Sequence, residues 1–338
     1  MHLLKKFVLT LLLLLTIISL SRAAPPSYLL TKKDYLYDTF FKVEATDLMD
    51  LDYSQVVVLG RDYTERRISV QLLSWSEGDL VSHWESPNLI NEGPVMMTTG
   101  RPLPTGEQFI IILTQNHLYL YTYQNERIIL RSQIYHTLSP YELSAADLNG
   151  DGIDELLVVR LGKRLAKYDE KVVDVYRLEG EELLKVGTSP LLGNIRCLTG
   201  GDLDGDGFAE LVTESGLSSR PGLFTLLRWD QEQEELTLET KGEKLLSSLV
   251  FGMQIATDGE RVVLYTADGW GRLNFFALEK NKFSAVRKEL SFPNGLVTVT
   301  TGDLDGDGIN EALVVGHPNN LMVFRLEEER DEAQFTQE

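Results

Sequence analysis

The stretch Asp147-Leu-Asn-Gly-Asp-Gly-Ile-Asp-Glu155 decides the fold, because the chain contains it three times. The second copy is Asp202-Leu-Asp-Gly-Asp-Gly-Phe-Ala-Glu210, and the third is Asp303-Leu-Asp-Gly-Asp-Gly-Ile-Asn-Glu311. Each copy is followed by an apolar run typical of a β-strand. The copies start 55 and then 101 residues apart, so the second interval corresponds to two periods of about fifty residues.

Three degenerate copies complete the series. They are the paired apolar runs 40–48 with 56–59, 95–100 with 109–113, and 251–258 with 261–265. Six copies therefore begin near residues 47, 101, 147, 202, 252 and 303. Each copy predicts four short strands, which in the third copy are the runs 142–147, 156–161, 172–178 and 183–186.

Four-stranded units repeated around an axis form a β-propeller. The last copy supplies only three strand-like runs, whereas an extra run at 28–35 precedes the first copy. We therefore predict an all-β, six-bladed β-propeller over residues 24–327, closed by an N-terminal strand that completes the last blade. A β-solenoid or two stacked β-sandwiches are the alternatives, since both are also built from short strands.

The acidic loops have the chemistry of a Ca²⁺ site, because Ca²⁺ takes about six to eight oxygen ligands and Mg²⁺ demands a smaller octahedron. An EF-hand is excluded, since loop position 12 falls inside a predicted strand in every copy. The predicted ligands are side chains at positions 1, 3, 5 and 9 and the backbone carbonyl at position 7. They are Asp147, Asn149, Asp151, Ile153 and Glu155; Asp202, Asp204, Asp206, Phe208 and Glu210; and Asp303, Asp305, Asp307, Ile309 and Glu311. We expect about three structural Ca²⁺ ions; the alternative is an acidic turn without a metal, since Asp, Asn and Gly dominate turns.

These loops, each followed by an apolar strand, resemble the FG-GAP or VCBS-type repeats of the integrin α-subunit propeller and of many exported bacterial proteins. The chain looks most like an exported bacterial VCBS-repeat protein. The resemblance implies that the metal loops are structural and share one face of the ring, with partners on the opposite face. The motif is strong in three of the six copies, and no Phe-Gly…Gly-Ala-Pro signature is complete. Integrin-like adhesion therefore does not follow automatically.

Residues 1–23 have the pattern of a secretory signal peptide, in which a charged start is followed by an apolar run and small residues. An uncleaved anchor is the alternative. We expect a secreted or cell-envelope protein that is monomeric, without a membrane span after cleavage. The single cysteine, Cys197, excludes an intramolecular disulfide framework and reads as a buried apolar residue.

The chain carries a formal net charge of −19. Such acidity argues against nucleic-acid binding, which needs a basic surface. Residues 328–338 form an acidic tail, which we expect to be solvated.

No catalytic motif appears in the sequence, and the five histidines have no metal-ligand spacing. The predicted connections between second and third strands hold a basic and aromatic set that is a candidate ligand site: Arg61, Tyr63, Arg66, Arg67, Lys163, Arg164, Trp270 and His317. We expect a Ca²⁺-binding adhesion or scaffold module for a protein or a cell-surface glycan. A secreted glycosidase or polysaccharide lyase is the alternative function.

Overall fold

A computed structural model describes residues 29–34, 39–164, 169–216, 220–258, 261–317 and 320–325. The predicted signal peptide and the acidic tail lie outside these residues. The described chain is all-β and forms six antiparallel sheets. None of its segments is a helix long and apolar enough to cross a membrane.

Five blades follow each other directly along the chain, and in each the four main strands pair in sequence order. Blade 1 consists of β2 (Thr39–Thr46), β3 (Gln55–Asp62), β4 (Arg67–Ser76) and β5 (Asp79–Glu85). Blade 2 consists of β6 (Met96–Gly100), β7 (Phe109–Leu113), β8 (His117–Gln124) and β9 (Arg127–Tyr135). Blade 3 consists of β10 (Pro140–Ala146), β11 (Glu155–Arg164), β12 (Asp169–Glu179) and β13 (Glu182–Thr188).

Blade 4 consists of β14 (Cys197–Gly201), β15 (Glu210–Glu214), β16 (Leu223–Asp230) and β17 (Glu235–Lys244). Blade 5 consists of β18 (Val250–Asp258), β19 (Arg261–Asp268), β20 (Arg272–Glu279) and β21 (Lys282–Ala285), with the short β22 (Leu290–Ser291) also paired to β20. The degenerate fifth copy has only two residues between its first two strands, so the acidic loop is missing there, as the sequence predicts.

The sixth blade closes the ring. It combines β23 (Leu296–Gly302), β24 (Glu311–Gly316) and β25 (Asn320–Arg325) with β1 (Leu29–Asp34) from the other end of the chain. Strand β1 pairs antiparallel with β25, with Lys32 opposite Met322. The predicted closure by an N-terminal strand is confirmed, as are the six blades.

The apolar core of the described chain is divided among the six interfaces between neighbouring blades. The second strands explain why, because they are buried on both faces. In β7, Ile110 and Ile112 pack towards blade 1, whereas Phe109 and Ile111 pack towards blade 3. Alternate side chains of a strand point to opposite faces of its sheet, so each continuous apolar run stabilises two interfaces at once.

Candidate functional site

The acidic loops join the first strand to the second in blades 3, 4 and 6. In blade 3, Asp147 organises the loop: its Oδ1 accepts the Gly150 N–H at 2.8 Å and its Oδ2 accepts the Gly152 N–H at 2.7 Å. Gly150 and Gly152 have φ values of 74° and 83°, a region that glycine enters without steric cost. The tight curl of the loop therefore depends on both glycines.

The other two loops repeat this geometry closely. Asp202 accepts the Gly205 and Gly207 N–H groups at 2.7 and 2.9 Å. Asp303 accepts the Gly306 and Gly308 N–H groups at 2.8 and 2.8 Å. In every loop the position 5 aspartate accepts the N–H of position 7, the residue whose carbonyl is a predicted ligand (Ile153, Phe208 and Ile309).

Two of the loops bring carboxylate oxygens close enough to share one cation. In the second loop these belong to Asp202, Asp204 and Asp206, and in the third to Asp303, Asp305 and Glu311; within each group the oxygens lie within 4.8 Å of one another. Ligands on opposite sides of a Ca²⁺ ion are separated by about 5 Å, twice the metal–oxygen distance. These donor sets fit Ca²⁺. The first loop, where Asn149 replaces the position 3 aspartate, is not among the carboxylate groups found in the described chain.

The position 9 glutamates also have a second role, inside the protein. Glu155, Glu210 and Glu311 are at most 2% exposed. Each accepts the N–H of loop position 2, at 3.0 Å from Leu148, 2.8 Å from Leu203 and 3.0 Å from Leu304.

A third-strand arginine contacts the other oxygen of each of these glutamates: Arg177, Arg228 and Arg325. Burial raises the pKa of all three carboxyls, to about 7 for Glu210, while the backbone N–H and the arginine oppose the rise. The glutamate thus closes its loop through protein hydrogen bonds alone.

The acidic loops also connect neighbouring blades. The N–H of loop position 8 donates to the position 1 carbonyl of the preceding blade: Asp154 to Arg101 at 3.0 Å, Ala209 to Asp147 at 2.9 Å, and Ser54 to Asp303 at 2.5 Å. Because the first-to-second-strand loops of all blades lie on the same side of the ring, we call this side the acidic face, formed by 147–154, 202–209 and 303–310. Turns 179–182 and 230–235 add three and four acidic residues to it and no basic one.

The opposite side carries the second-to-third-strand turns and the connections between blades. Most of the predicted ligand residues lie there, in different blades. In blade 1, the Arg61 guanidinium stacks 4.7 Å from the Tyr63 ring, and Arg67 pairs with Glu85 at 3.1 Å. The Arg66 carbonyl accepts the Asn88 amide at 3.2 Å.

The other predicted residues of this face are spread over blades 3, 5 and 6. Lys163 is exposed at the end of β11, next to Arg164, whose side chain is outside the described part. In blade 5 Trp270 is 63% exposed, with the Arg272 guanidinium 4.8 Å from its ring. His317 is an exposed turn residue of blade 6. These residues share a face, but the structure does not gather them into one pocket.

A cavity of about 210 Å³ opens at the mouth of the central channel on this same side. Its rim includes three exposed aromatic side chains, Phe41, Tyr141 and Phe251, which belong to the first strands of blades 1, 3 and 5. Each sits where the register of its first strand shifts by one residue. Such β-bulges re-aim a side chain, so the aromatic rings face the channel mouth. We call this side, defined by Phe41, Tyr63, Tyr141, Phe251 and Trp270, the aromatic face.

Two charged residues, Lys42 and Glu142, line the cavity. Lys42 Nζ lies 3.4 Å from Glu44 and 3.8 Å from Glu142. Burial alone lowers the pKa of the Lys42 ammonium, but the two glutamates outweigh it and the net pKa is raised. Burial raises the pKa of Glu142, against the effect of Lys42. Glu44 also accepts the Thr99 N–H at 2.6 Å, so its carboxylate is fixed in place.

Cys197 lines the inner wall of this cavity and is 4% exposed. Burial raises the pKa of its thiol well above the ordinary value, so the reactive thiolate is disfavoured. The prediction of a buried apolar residue is confirmed.

The model of the FG-GAP-like repeat family matches residues 147–213, which include the first two acidic loops and the strands between them. Together with the six four-stranded blades, this match decides the type of fold. The chain is an FG-GAP-type propeller.

Solved structures similar to this FG-GAP-type propeller include a chain of BBS1N in complex with ARL6DN, soaked with mercury. It is 12% identical, the match covers 90% of this chain and 98% of that one, and the TM-score is 0.55. The lead-soaked crystal of the same complex gives 11% identity, coverage of 90% and 97%, and a TM-score of 0.53. At this identity the likeness shows the fold alone. No curated protein sequence matches the chain.

The rim of the propeller's channel is the part of the site that sequence reasoning missed. Phe41, Tyr141 and Phe251 each precede the regular part of a first strand, immediately before Lys42, Glu142 and Gly252. A comparison of the copies could have found them, because an aromatic residue stands at the same place in three copies. The bulges that expose these residues leave no mark in the sequence.

Proposed function

We propose that this FG-GAP-type propeller is an exported, monomeric binding module that holds a protein partner on its aromatic face, with Ca²⁺ as a structural ion of the acidic loops. The observation that carries the proposal is the ring of exposed Phe41, Tyr141 and Phe251 around one cavity. Aromatic residues, methionine and arginine are enriched at the centres of protein interfaces.

The size of the cavity supports a side chain of a larger partner as the occupant. Small-molecule sites have volumes of about 300–1,000 Å³, whereas this cavity has about 210 Å³. Met96, Met97 and Met253 line it, and methionine adapts its shape to an inserted group. Trp270 extends the apolar surface, since Phe251 packs beside Gly269 in the same turn.

The charge distribution supports the same assignment of the two faces. The acidic face carries the eight aspartates that the sequence predicts as ligands, while the three glutamates at position 9 are buried beneath it. A face so rich in one charge repels most acidic surfaces, which favours its use for cations. The aromatic face has cation–π pairs at Tyr63, Tyr141 and Trp270 instead, and it presents apolar and basic groups together.

A matched pair of variants tests the proposal. Phe41 and Phe208 are both 41% exposed but lie on opposite faces. We expect Phe41→Ser/Tyr141→Ser/Phe251→Ser to lose the proteins that the wild type captures from envelope extracts, and Phe208→Ser/Ile309→Ser to keep them. Exposed substitutions change stability by about 0.5 kcal/mol or less each, so both variants should melt close to the wild type.

Retention of the captured proteins by the first variant and their loss from the second would contradict the proposed face. Binding of the wild-type propeller and the two variants to a glycan array tests the alternative ligand, a cell-surface glycan. Release of products from an applied polysaccharide would instead support the enzyme alternative.

A further inference from the structure

Each acidic loop is contacted by an arginine from the third strand of its own blade. Where loop position 9 is glutamate, the facing residue of the third strand is arginine. Glu311 lies directly opposite Arg325. The registers Leu156–Tyr176 and Leu211–Leu227 likewise place Glu155 opposite Arg177 and Glu210 opposite Arg228.

Two other blades supply an internal comparison. In blade 1 position 9 is Gln55, and the register of Val56 with Leu73 places Ser74 opposite it. In blade 2 position 9 is Phe109, opposite Thr122. Arginine therefore accompanies the buried carboxylate and is absent where position 9 is neutral. A buried carboxylate needs such a partner, since an unpaired buried charge is costly.

In blades 4 and 6 the arginine also reaches the predicted metal ligands. Arg228 Nη2 lies 2.6 Å from Asp204, and Nη1 lies 3.5 Å from Asp206. Arg325 Nη2 lies 2.7 Å from Asp305, and Nη1 lies 2.9 Å from Asp307. Both guanidinium groups thus bridge loop positions 3, 5 and 9.

The loop of blade 3 differs at this point. Arg177 contacts Glu155 at 2.8 Å, and the Asn149 amide donates to the same carboxylate oxygen at 2.7 Å. With Asn149 at position 3, the loop has three predicted ligand carboxylates, whereas each of the other two loops has four. Its arginine is held at the glutamate.

A guanidinium group and a Ca²⁺ ion cannot use the same carboxylate oxygens at full strength. Ca²⁺ draws the aspartates at positions 1, 3 and 5 to about 2.3–2.6 Å, and its two positive charges repel the arginine. Entry of the metal therefore requires the arginine to withdraw from the aspartates towards the glutamate.

We propose that Arg228 and Arg325 are built-in counter-ions that compete with Ca²⁺ for the aspartates of their loops and so set the metal affinity of the propeller. The proposal rests on the proposed Ca²⁺ binding. It means that the propeller stays folded without the metal and that its loops fill only when Ca²⁺ is abundant.

Ca²⁺ titration calorimetry, with thermal melting in Ca²⁺ and in chelator, tests the competition on the full chain. We expect Arg228→Gln/Arg325→Gln to bind Ca²⁺ at least tenfold more tightly than the wild type. The variant should melt well below the wild type in chelator and recover most of the difference in Ca²⁺.

Arg160→Gln is the matched control. Arg160 pairs with the buried Asp174 in blade 3, away from the loops. Its loss should lower the melting temperature equally in Ca²⁺ and in chelator. If the double variant does not fold in chelator, Arg228→Lys tests the same point. Lysine keeps the charge but cannot bridge several carboxylates as the guanidinium fork does. We expect the Arg228→Lys variant also to bind Ca²⁺ more tightly than the wild type.

Wild-type Ca²⁺ binding with an unchanged or weaker affinity in the arginine variants would overturn the competition and leave the proposed metal sites standing. Absence of Ca²⁺ binding from the wild type and all variants would overturn both. Binding by the arginine variants alone would support the competition and show that arginine has replaced the metal in the wild type.

Discussion

The loop of blade 1 and the acidic loop of blade 4 are closed by the same hydrogen bond to position 9, but they differ in the charge of the residue at that position. In blade 1, Gln55 Oε1 accepts the Leu48 N–H at 2.8 Å, as Glu210 accepts the Leu203 N–H at 2.8 Å in blade 4. Both side chains are fully buried. Gln55 is neutral and faces Ser74, whereas Glu210 is ionisable and faces Arg228. The comparison separates two roles of position 9, which are closing the loop and holding a cation.

The largest effect is expected when the charged pair is broken on one side. Glu210→Ala leaves the Leu203 N–H and Arg228 without their acceptor, and breaking a buried ion pair costs about 3 kcal/mol or more. Replacing the pair by that of blade 1, in Glu210→Gln/Arg228→Ser, should cost only about 1 kcal/mol, since the loop-closing hydrogen bond remains. Chemical denaturation in chelator measures both values.

The reciprocal exchange in blade 1 is the control. Gln55→Glu buries a carboxylate opposite Ser74 and should destabilise the fold by about 2 kcal/mol at pH 8. Adding Ser74→Arg should recover part of this loss. A double variant in blade 4 that is as unstable as Glu210→Ala would show that the loop needs the charge itself.

A smaller effect is expected at the other end of β15. Glu214 is fully buried and accepts the Gly216 and Gly222 N–H groups at 3.0 Å each, while its Oε2 has no hydrogen-bond partner in the described part of the chain. Burial raises its pKa from 4.5 to about 7. The folded protein therefore binds a proton between these pH values that the unfolded chain has released.

This carboxyl consequently stabilises the fold at low pH, and its contribution is lost as the pH rises from 4.5 to about 7. Glu214→Gln should reduce the decline in stability over this range by about 1–3 kcal/mol. Urea denaturation at pH 5 and pH 8 measures the change. An equal decline in the variant would assign the pH dependence to other groups.

Much of the fold could be predicted because the chain repeats itself. The motif Asp-x-Asn/Asp-Gly-Asp-Gly fixes the loops through local hydrogen bonds, since Asp147 bonds to residues only three to five positions away. The repeat period of about fifty residues predicts the number of blades, and the extra strand-like run at 28–35 predicts how the ring closes. The spacing predicts the position 9 glutamate as a metal ligand. It does not predict the hydrogen bond that this glutamate accepts from the N–H of loop position 2.

The remaining features depend on register, which local sequence does not determine. Arg177, Arg228 and Arg325 lie 14 to 22 residues from their glutamates and meet them only through strand pairing. The aromatic rim depends on bulges that shift a strand by one residue and turn Phe41, Tyr141 and Phe251 towards the channel. A one-residue shift reverses the face of every side chain beyond it.

The central claim is that the two faces of the propeller divide stability and binding between them. Hydrogen–deuterium exchange of the free chain and of the chain bound to a captured partner tests it directly. We expect partner-dependent protection in segments 41–43, 141–143 and 251–253 and little change in loops 147–155, 202–210 and 303–311. Protection confined to the acidic loops, with the channel mouth unchanged, would contradict the claim.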